Sequence, residues 1–407
     1  MAFPNVFVSA VAAVMYRNLG LSTTDVMLYT SQLYLPWVLK PIWAPLMEAV
    51  WRKDGWVVSM QMVISFAFVL VAMLLPVDNS IAITLAVFWV VSFASATQDI
   101  AIDGIFMSAT SASEQIRYSG VQNLFWNVGA VLSSGGLIYL SGALHDQYKL
   151  SWTFCWMIVL IVCSAYMAFS AVWHAKALPD PGAVSNHDFK AEALLSSLWN
   201  SWVSFFAKKS IWAMIGVVFF YRFAEGFLEK LAPIFLLDSR EVGGLGLSNQ
   251  MLGLVNGSLG TIGFVTGTIV AGLLVAKLSL RKSFFLLALA LNVPHFSYYF
   301  LSNSLPTDLM MISVAVILEK IGYGMGSVGH MLYMVQQVSP GRFQMSHYAF
   351  ATGIMALCKW LTGLLSGPLF ALLQYDYSSF FLAVLLISIV PILVSFCAPF
   401  YAYNAAT

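Results

Sequence analysis

Residues 80–108 read SIAITLAVFWVVSFASATQDIAIDGIFMS. About 20 apolar residues are enough to carry a helix through a bilayer, so this stretch predicts a membrane span. Yet it holds Asp99 and Asp103, four residues apart, and that spacing places both carboxylates on one side of the helix. Charge inside a membrane is costly, and it usually faces a water-filled path or a partner of opposite sign.

The whole chain fits this reading. Of its 407 residues 60% are hydrophobic and 9% are charged, and the mean hydropathy is +0.83. A soluble domain carries about 25% charged residues. Twelve spans are predicted, at 2–18, 25–46, 56–76, 80–108, 115–141, 152–174, 210–237, 249–276, 281–302, 307–336, 344–373 and 378–401. Pro36, Pro41 and Pro45 predict a kink in the second span. No charged n-region precedes the first apolar run, and its abrupt start suggests that the natural N-terminus extends upstream of Met1.

Basic residues set the orientation. With a cytoplasmic N-terminus, eleven Lys or Arg residues fall in inner loops and three (Arg17, Lys149 and Arg240) in outer ones. Both termini are therefore expected on the cytoplasmic side of the membrane. Residues 1–174 are expected to form an N-terminal six-helix bundle, 175–209 a cytoplasmic linker and 210–407 a C-terminal six-helix bundle. The linker turns amphipathic: Leu194, Leu195, Leu198, Trp202, Phe205 and Phe206 are expected on one side of a helix, which suits a position on the membrane surface. Six spans, a linker and six more is the plan of the major facilitator superfamily, so the expected fold is an all-α membrane protein of that type.

Several function classes drop out. No basic run exists to hold a nucleic-acid backbone, so a nucleic-acid partner is not expected. Cys155, Cys163, Cys358 and Cys397 lie in apolar stretches without metal-ligand or CxxC spacing. No HExxH, GxSxG or Walker lysine occurs, which argues against an enzyme or an ATP-driven pump and leaves no expected cofactor. GYGMG at 322–326 lies in a span without a preceding strand and is not read as a phosphate loop. The glycines of span 8, Gly253, Gly257, Gly260, Gly263 and Gly267, read as helix packing. The energy is expected to come from an ion gradient or from the substrate's own gradient, and the carboxylates favour protons as the coupling ion.

The intramembrane charges are Lys40, Asp99, Asp103, Arg222, Glu225, Glu229, Lys230, Glu319, Lys320 and Lys359. Depth suggests pairing of Lys40 with Asp99 or Asp103, of Arg222 with Glu225, and of Glu319 with Lys359. Glu229 and Lys230 read as a joint between helices, and Glu48 as a structural residue at a span end. Two acids one turn apart repel each other and one facing base offsets only part of that charge, so Asp99 and Asp103 suit a site that takes and releases a proton. Polar and aromatic faces accompany them: Gln122, Asn123, Trp126 and Asn127 in span 5, Glu319, Tyr323 and His330 in span 10, and Tyr348, Thr352 and Lys359 in span 11. Amides and acids beside rings suit a polyhydroxylated ligand, and the cations suit a carboxylate on it.

The segment SFASATQDIAIDG is similar to the S-x-QD-x-x-x-D segment of the AmpG-type muropeptide permeases and the related acetyl-CoA transporter family. VLKPIWAPLMEAV, YRFAEGF, LEKIGYGMGSVG and GRFQMSHYAFATGIMAL resemble further segments of that family, so the likeness covers most of the chain. Arg222 and Glu225 stand where the family often has Lys and Asp, which keeps the charges and alters their reach. The resemblance implies a proton-driven importer of GlcNAc–1,6-anhydroMurNAc, with or without stem peptide, acting as a monomer in the lipid bilayer of a bacterial cytoplasmic (inner) membrane. It carries over Lys40, Gln98, Asp99, Asp103, Arg222, Glu225 and Glu319 as family polar positions. Asp99, Asp103 and Glu319 are expected to handle the proton. Lys40, Gln98, Asn123, Trp126 and Asn127 are expected on the substrate, together with Arg222, Glu225, Tyr323 and Lys359. The alternatives are a same-fold carrier of another oligosaccharide or an acyl-CoA, and a membrane receptor that binds muropeptide without moving it.

Overall fold

The structure, a computed structural model, describes residues 2–50, 52–77, 80–109, 125–126, 128–178, 191–341 and 343–401. Every regular element among them is helical, as expected where lipid offers the backbone no hydrogen-bond partner. Ten helices among the described residues are long and apolar enough to cross a membrane.

Helix α1 covers residues 2–18, with a π turn at Phe7–Val11. The second expected span is two helices, α2 (Thr23–Gln32) and α3 (Leu35–Val50). The break falls at Leu33 and Tyr34, ahead of Pro36, whereas the helix runs on through Pro41 and Pro45. Pro36 cannot donate to the carbonyl four residues back and disfavours a helical residue before it, yet it sits well in the first turn of a new helix. Then come α4 (Lys53–Leu74), α5 (Ser80–Ala109), α6 (Val128–Tyr148) and α7 (Trp152–Ala177). The span expected at 115–141 is described from Val128 and extends to Tyr148.

After α8 (Ala191–Phe206) follow α9 (Ile211–Leu237), α10 (Asn249–Leu278) and α11 (Leu280–Ser304). The chain ends in α12 (Leu309–Val338), α13 (Gln344–Leu372) and α14 (Tyr377–Phe396). Side-chain caps start several helices. Ser151 Oγ accepts from Phe154 N, Asp308 from Met310 N and Asp376 from Ser379 N, each satisfying a backbone donor that has no partner in the first turn.

The described chain forms two units. The first comprises Met1–Lys190 with Ser248–Leu254. Its interior is aromatic, with Phe7, Phe68, Phe88 and Trp156 fully buried. Several polar groups inside it are paired: Ser65 Oγ lies 2.9 Å from Ser164 Oγ, and Asn249 Nδ2 donates to Asn18 Oδ1 at 2.6 Å and to Ser141 Oγ at 3.0 Å. Trp156 Nε1 also donates to Asn18 Oδ1, at 3.2 Å.

The second unit comprises Ala191–Leu247 with Val255–Thr407. Its helix α8 turns Phe205 inward at 1% exposure and leaves Trp199 70% exposed. It is held at both ends of its last turns. Ser204 Oγ lies 3.0 Å from His347 Nε2, while Lys208 Nζ donates to the carbonyls of Val338 and Pro340. Burial pushes the Lys208 ammonium down to about 8.

Gly263 and Gly267 of α10 form a tight seam with α12. A Cβ on Gly263 would stand 2.9 Å from Ile317 O, and one on Gly267 would overlap Ile321 O. Backbone cannot withdraw as a flexible side chain can. Gly267→Val is therefore expected to destabilise the protein by about 1–3 kcal/mol through overpacking. Thermal unfolding in detergent should show a lowered Tm, and an unchanged Tm would mean that the seam opens without cost.

Candidate functional site

In the first unit, α3 and α5 bring Lys40 to the acid pair. Lys40 Nζ donates to Asp99 Oδ2 at 3.0 Å, with the two side chains 19% and 20% exposed. Asp103, one turn further along α5 and half-buried, lies within electrostatic reach of both Lys40 and Asp99. The local charge is two acids against one base. Gln98 is 2% exposed, and its Oε1 has no hydrogen-bond partner among the described residues. Tyr34, stacked on Trp37 with ring centroids 5.3 Å apart, lies within electrostatic reach of Lys40 and adds an aromatic surface to the group. Sequence reasoning missed these two rings, although they stand six and three residues before Lys40. Trp126 is described and 41% exposed. Asn123, Asn127 and Gln122 lie outside the described residues.

In the second unit, α9 is interrupted at Tyr221 and Arg222, where Arg222 takes φ −114° and ψ 20°. The interruption changes the direction in which the following side chains leave the helix. The Arg222 guanidinium lies over the Tyr323 ring, 4.7 Å from its centroid, and donates to the Tyr323 hydroxyl. Lys320 Nζ is 5.4 Å from the same centroid. Such cation–π contacts strengthen where water is scarce.

The pairs expected for this unit are exchanged. Lys359 takes Glu229 at 2.7 Å instead of Glu319, and both partners keep partial exposure, 24% and 28%. Glu319 takes its sequence neighbour Lys320 at 2.9 Å and is fully buried. Glu225 turns from Arg222 to His295, whose Nε2 lies 3.0 Å from Glu225 Oε2. Arg222 and Glu229 are seven residues apart, two helical turns on one face, and that spacing was the available signal for Glu229. His330 is buried and stacks on Tyr221, centroids 5.0 Å apart.

Two units of apolar helices, each with paired charges half-buried within it, define a membrane transporter rather than a soluble or single-span protein. The chain belongs to the Major Facilitator Superfamily, whose sequence profile matches residues 1–367. Among its relatives is the anhydromuropeptide permease of Escherichia coli (strain K12), 21% identical over 356 residues that cover 86% of this chain and 68% of the relative. Among solved structures, a D-xylose–proton symporter superposes with a TM-score of 0.74 at 11% identity, over 97% of this chain and 93% of the other. An alanine mutant of the nucleoside transporter NupG gives 0.72 at 13% identity, over 98% and 96%. These structural likenesses establish the fold.

Proposed function

We propose that this transporter is a proton-coupled importer of cell-wall turnover sugars, GlcNAc–1,6-anhydroMurNAc with or without stem peptide, working by alternating access from periplasm to cytoplasm. The observation that carries the coupling is the arrangement of two carboxylates against one ammonium. With Lys40 bonded to Asp99, the charge of Asp103 is left only partly compensated in a half-buried place, and a proton neutralises it at least cost. Asp103 is accordingly the acid that loads, with Lys40 and Asp99 as its electrostatic frame.

The sugar reading draws support from the named relative and from the groups themselves. Arg222 offers charge to the lactyl or peptide carboxylate, while Tyr323 and Trp126 offer rings to the apolar faces of the sugars. Gln98, Asn123 and Asn127 offer amides to hydroxyl and acetamido groups. An acyl-CoA would need several unmatched cations for its phosphates. Here Lys40 and Lys359 are each bonded to an acid, which favours a glycan with few charges.

The test is counterflow. Proteoliposomes loaded with unlabelled GlcNAc–anhydroMurNAc should take up the labelled compound in exchange, and an excess of an unrelated disaccharide should not compete. Binding without exchange by folded protein would leave a receptor. Exchange of other glycans in its place would keep the carrier and change its cargo.

A further inference from the structure

Three helices of the second unit bring together a buried acid, imidazole and hydroxyl. Glu225 on α9 is 1% exposed, His295 on α11 is 0% exposed and Ser388 on α14 is 3% exposed. His295 Nε2 lies 3.0 Å from Glu225 Oε2, and His295 Nδ1 lies 2.9 Å from Ser388 Oγ. We propose that Glu225, His295 and Ser388 form a second proton-binding site, separate from Asp99 and Asp103, that loads and empties in the transport cycle. The proposal rests on proton coupling as proposed above.

The hydrogen-bond geometry admits two proton inventories, each fully bonded along the chain. Ser388 Oγ is 2.9 Å from the Val384 carbonyl as well as from His295 Nδ1. A hydroxyl has one proton to donate. When it donates to Val384 O, its oxygen accepts from Nδ1–H. A proton must then lie between Nε2 and Glu225 Oε2, on whichever of the two holds it. When the hydroxyl turns to donate to Nδ1, the imidazole carries its hydrogen on Nε2 and donates it to a Glu225 carboxylate. The first inventory holds one proton more than the second, and rotation about the Ser388 Cβ–Oγ bond converts the bonding between them. A buried group locked in one state would need no such freedom.

The titratable groups facing Glu225 from the helices packed around it are His295 and Tyr298 of α11, Glu319, Lys320 and Tyr323 of α12, and Arg222 of α9 itself. From α14 comes Ser388, while Lys359 of α13 turns to Glu229. Arg222 is engaged with Tyr323. With His295 neutral, Glu225 and Glu319 face the Lys320 ammonium and the Arg222 guanidinium, whose bond to a neutral phenol leaves its charge in place, so an added proton gives the group one positive charge. Among the described residues Glu225 Oε1 and Glu319 Oε1 both lack a hydrogen-bond partner, so full ionisation leaves buried charged acceptors unsatisfied, and a proton on one of them relieves that cost.

The backbone is irregular at these residues. His295 ends the 3₁₀ turn Val293–His295, where Pro294 cannot donate to the carbonyl of Ala290. Ser388 stands where α14 changes from Tyr377–Ile387 to Ile389–Phe396, three residues before Pro391. Glu225 follows the interruption at Arg222 within one turn. Helix interruptions of this kind commonly mark functional hinges. Here they let small movements lengthen or shorten the two bonds that define the proton inventory.

The first test is an NMR titration of the full chain in nanodiscs with ¹⁵N-labelled histidine and no substrate, His295 being assigned from the His295→Gln variant. The ring nitrogens of His295 should change protonation or tautomer within the pH range over which uptake varies, and Ser388→Ala should move that transition. One fixed state throughout would overturn the proposal, whatever the cargo proves to be. The second test is accumulation of labelled GlcNAc–anhydroMurNAc under an inward gradient of one pH unit. Loss of one coupled proton lowers the limiting accumulation ratio about tenfold, and that drop is expected for His295→Gln with counterflow retained. If His295→Gln does not fold, Ser388→Ala is read in its place, with its accumulation expected to fall and its counterflow to persist. An unchanged ratio in a folded variant would overturn the coupled role. Failure of wild type to carry muropeptide, with the His295 transition present, would instead count against the cargo.

Discussion

Asp103→Asn is expected to lower the limiting accumulation of muropeptide about tenfold at a gradient of one pH unit, the worth of one proton, while counterflow persists. Asparagine keeps the size of the side chain and a hydrogen-bonding carbonyl but cannot load a proton. It also removes the excess of acid over base, leaving the Lys40–Asp99 bond as a neutral pair. The carrier should therefore still bind and exchange its cargo. Asp99→Asn has a different signature, because it takes from Lys40 its bonded partner and leaves Asp103 to neutralise the ammonium. Binding and exchange should both suffer in that variant. Equal behaviour of the two asparagine variants in accumulation and counterflow would contradict the assignment of Asp103 as the loading acid.

Arg222→Met is expected to raise KM for an anionic muropeptide roughly ten- to hundredfold, since a hydrogen bond to a charged group contributes about 1.5–3 kcal/mol. Methionine retains apolar length and loses the planar donor fork. Arg222→Lys keeps charge without the fork and should fall between them. Tyr323→Phe is the control for the rest of the arrangement: it removes the hydroxyl that Arg222 bonds while keeping the ring under the guanidinium. If Arg222 serves the substrate, the loss in Arg222→Met should shrink when the carboxylate of the substrate is replaced by an amide. A loss of the same size for charged and neutral substrates would make Arg222 a structural residue.

The ion pair of the first unit was legible in the sequence. Spacing alone puts Asp99 and Asp103 on one face, and Lys40, at similar depth on a neighbouring span, is the available counter-charge; the Lys40–Asp99 bond follows. The second unit was less legible because its pairs depend on helix interruptions. Three residues of regular helix suggest Arg222 beside Glu225, yet the break at Tyr221 and Arg222 sends one to Tyr323 and the other to His295. Glu229 read as a joint between helices, and its bond to Lys359 does join α9 to α13, although the sequence did not single out Lys359 as the partner. His295 and Ser388 carry no formal charge at neutral pH in the ordinary accounting, so a survey of charged residues passed over them. The split of α2 from α3 had a visible cause in Pro36, but three prolines offered three places for it.

The most direct measurement of the central claim is the pH inside proteoliposomes, reported by a trapped dye when GlcNAc–anhydroMurNAc is added outside with no imposed gradient. The account predicts that the lumen acidifies as the sugar enters, and that Asp103→Asn acidifies it less for each sugar carried. Entry of labelled sugar with an unchanged lumenal pH would contradict it, leaving a carrier driven by the gradient of its own substrate.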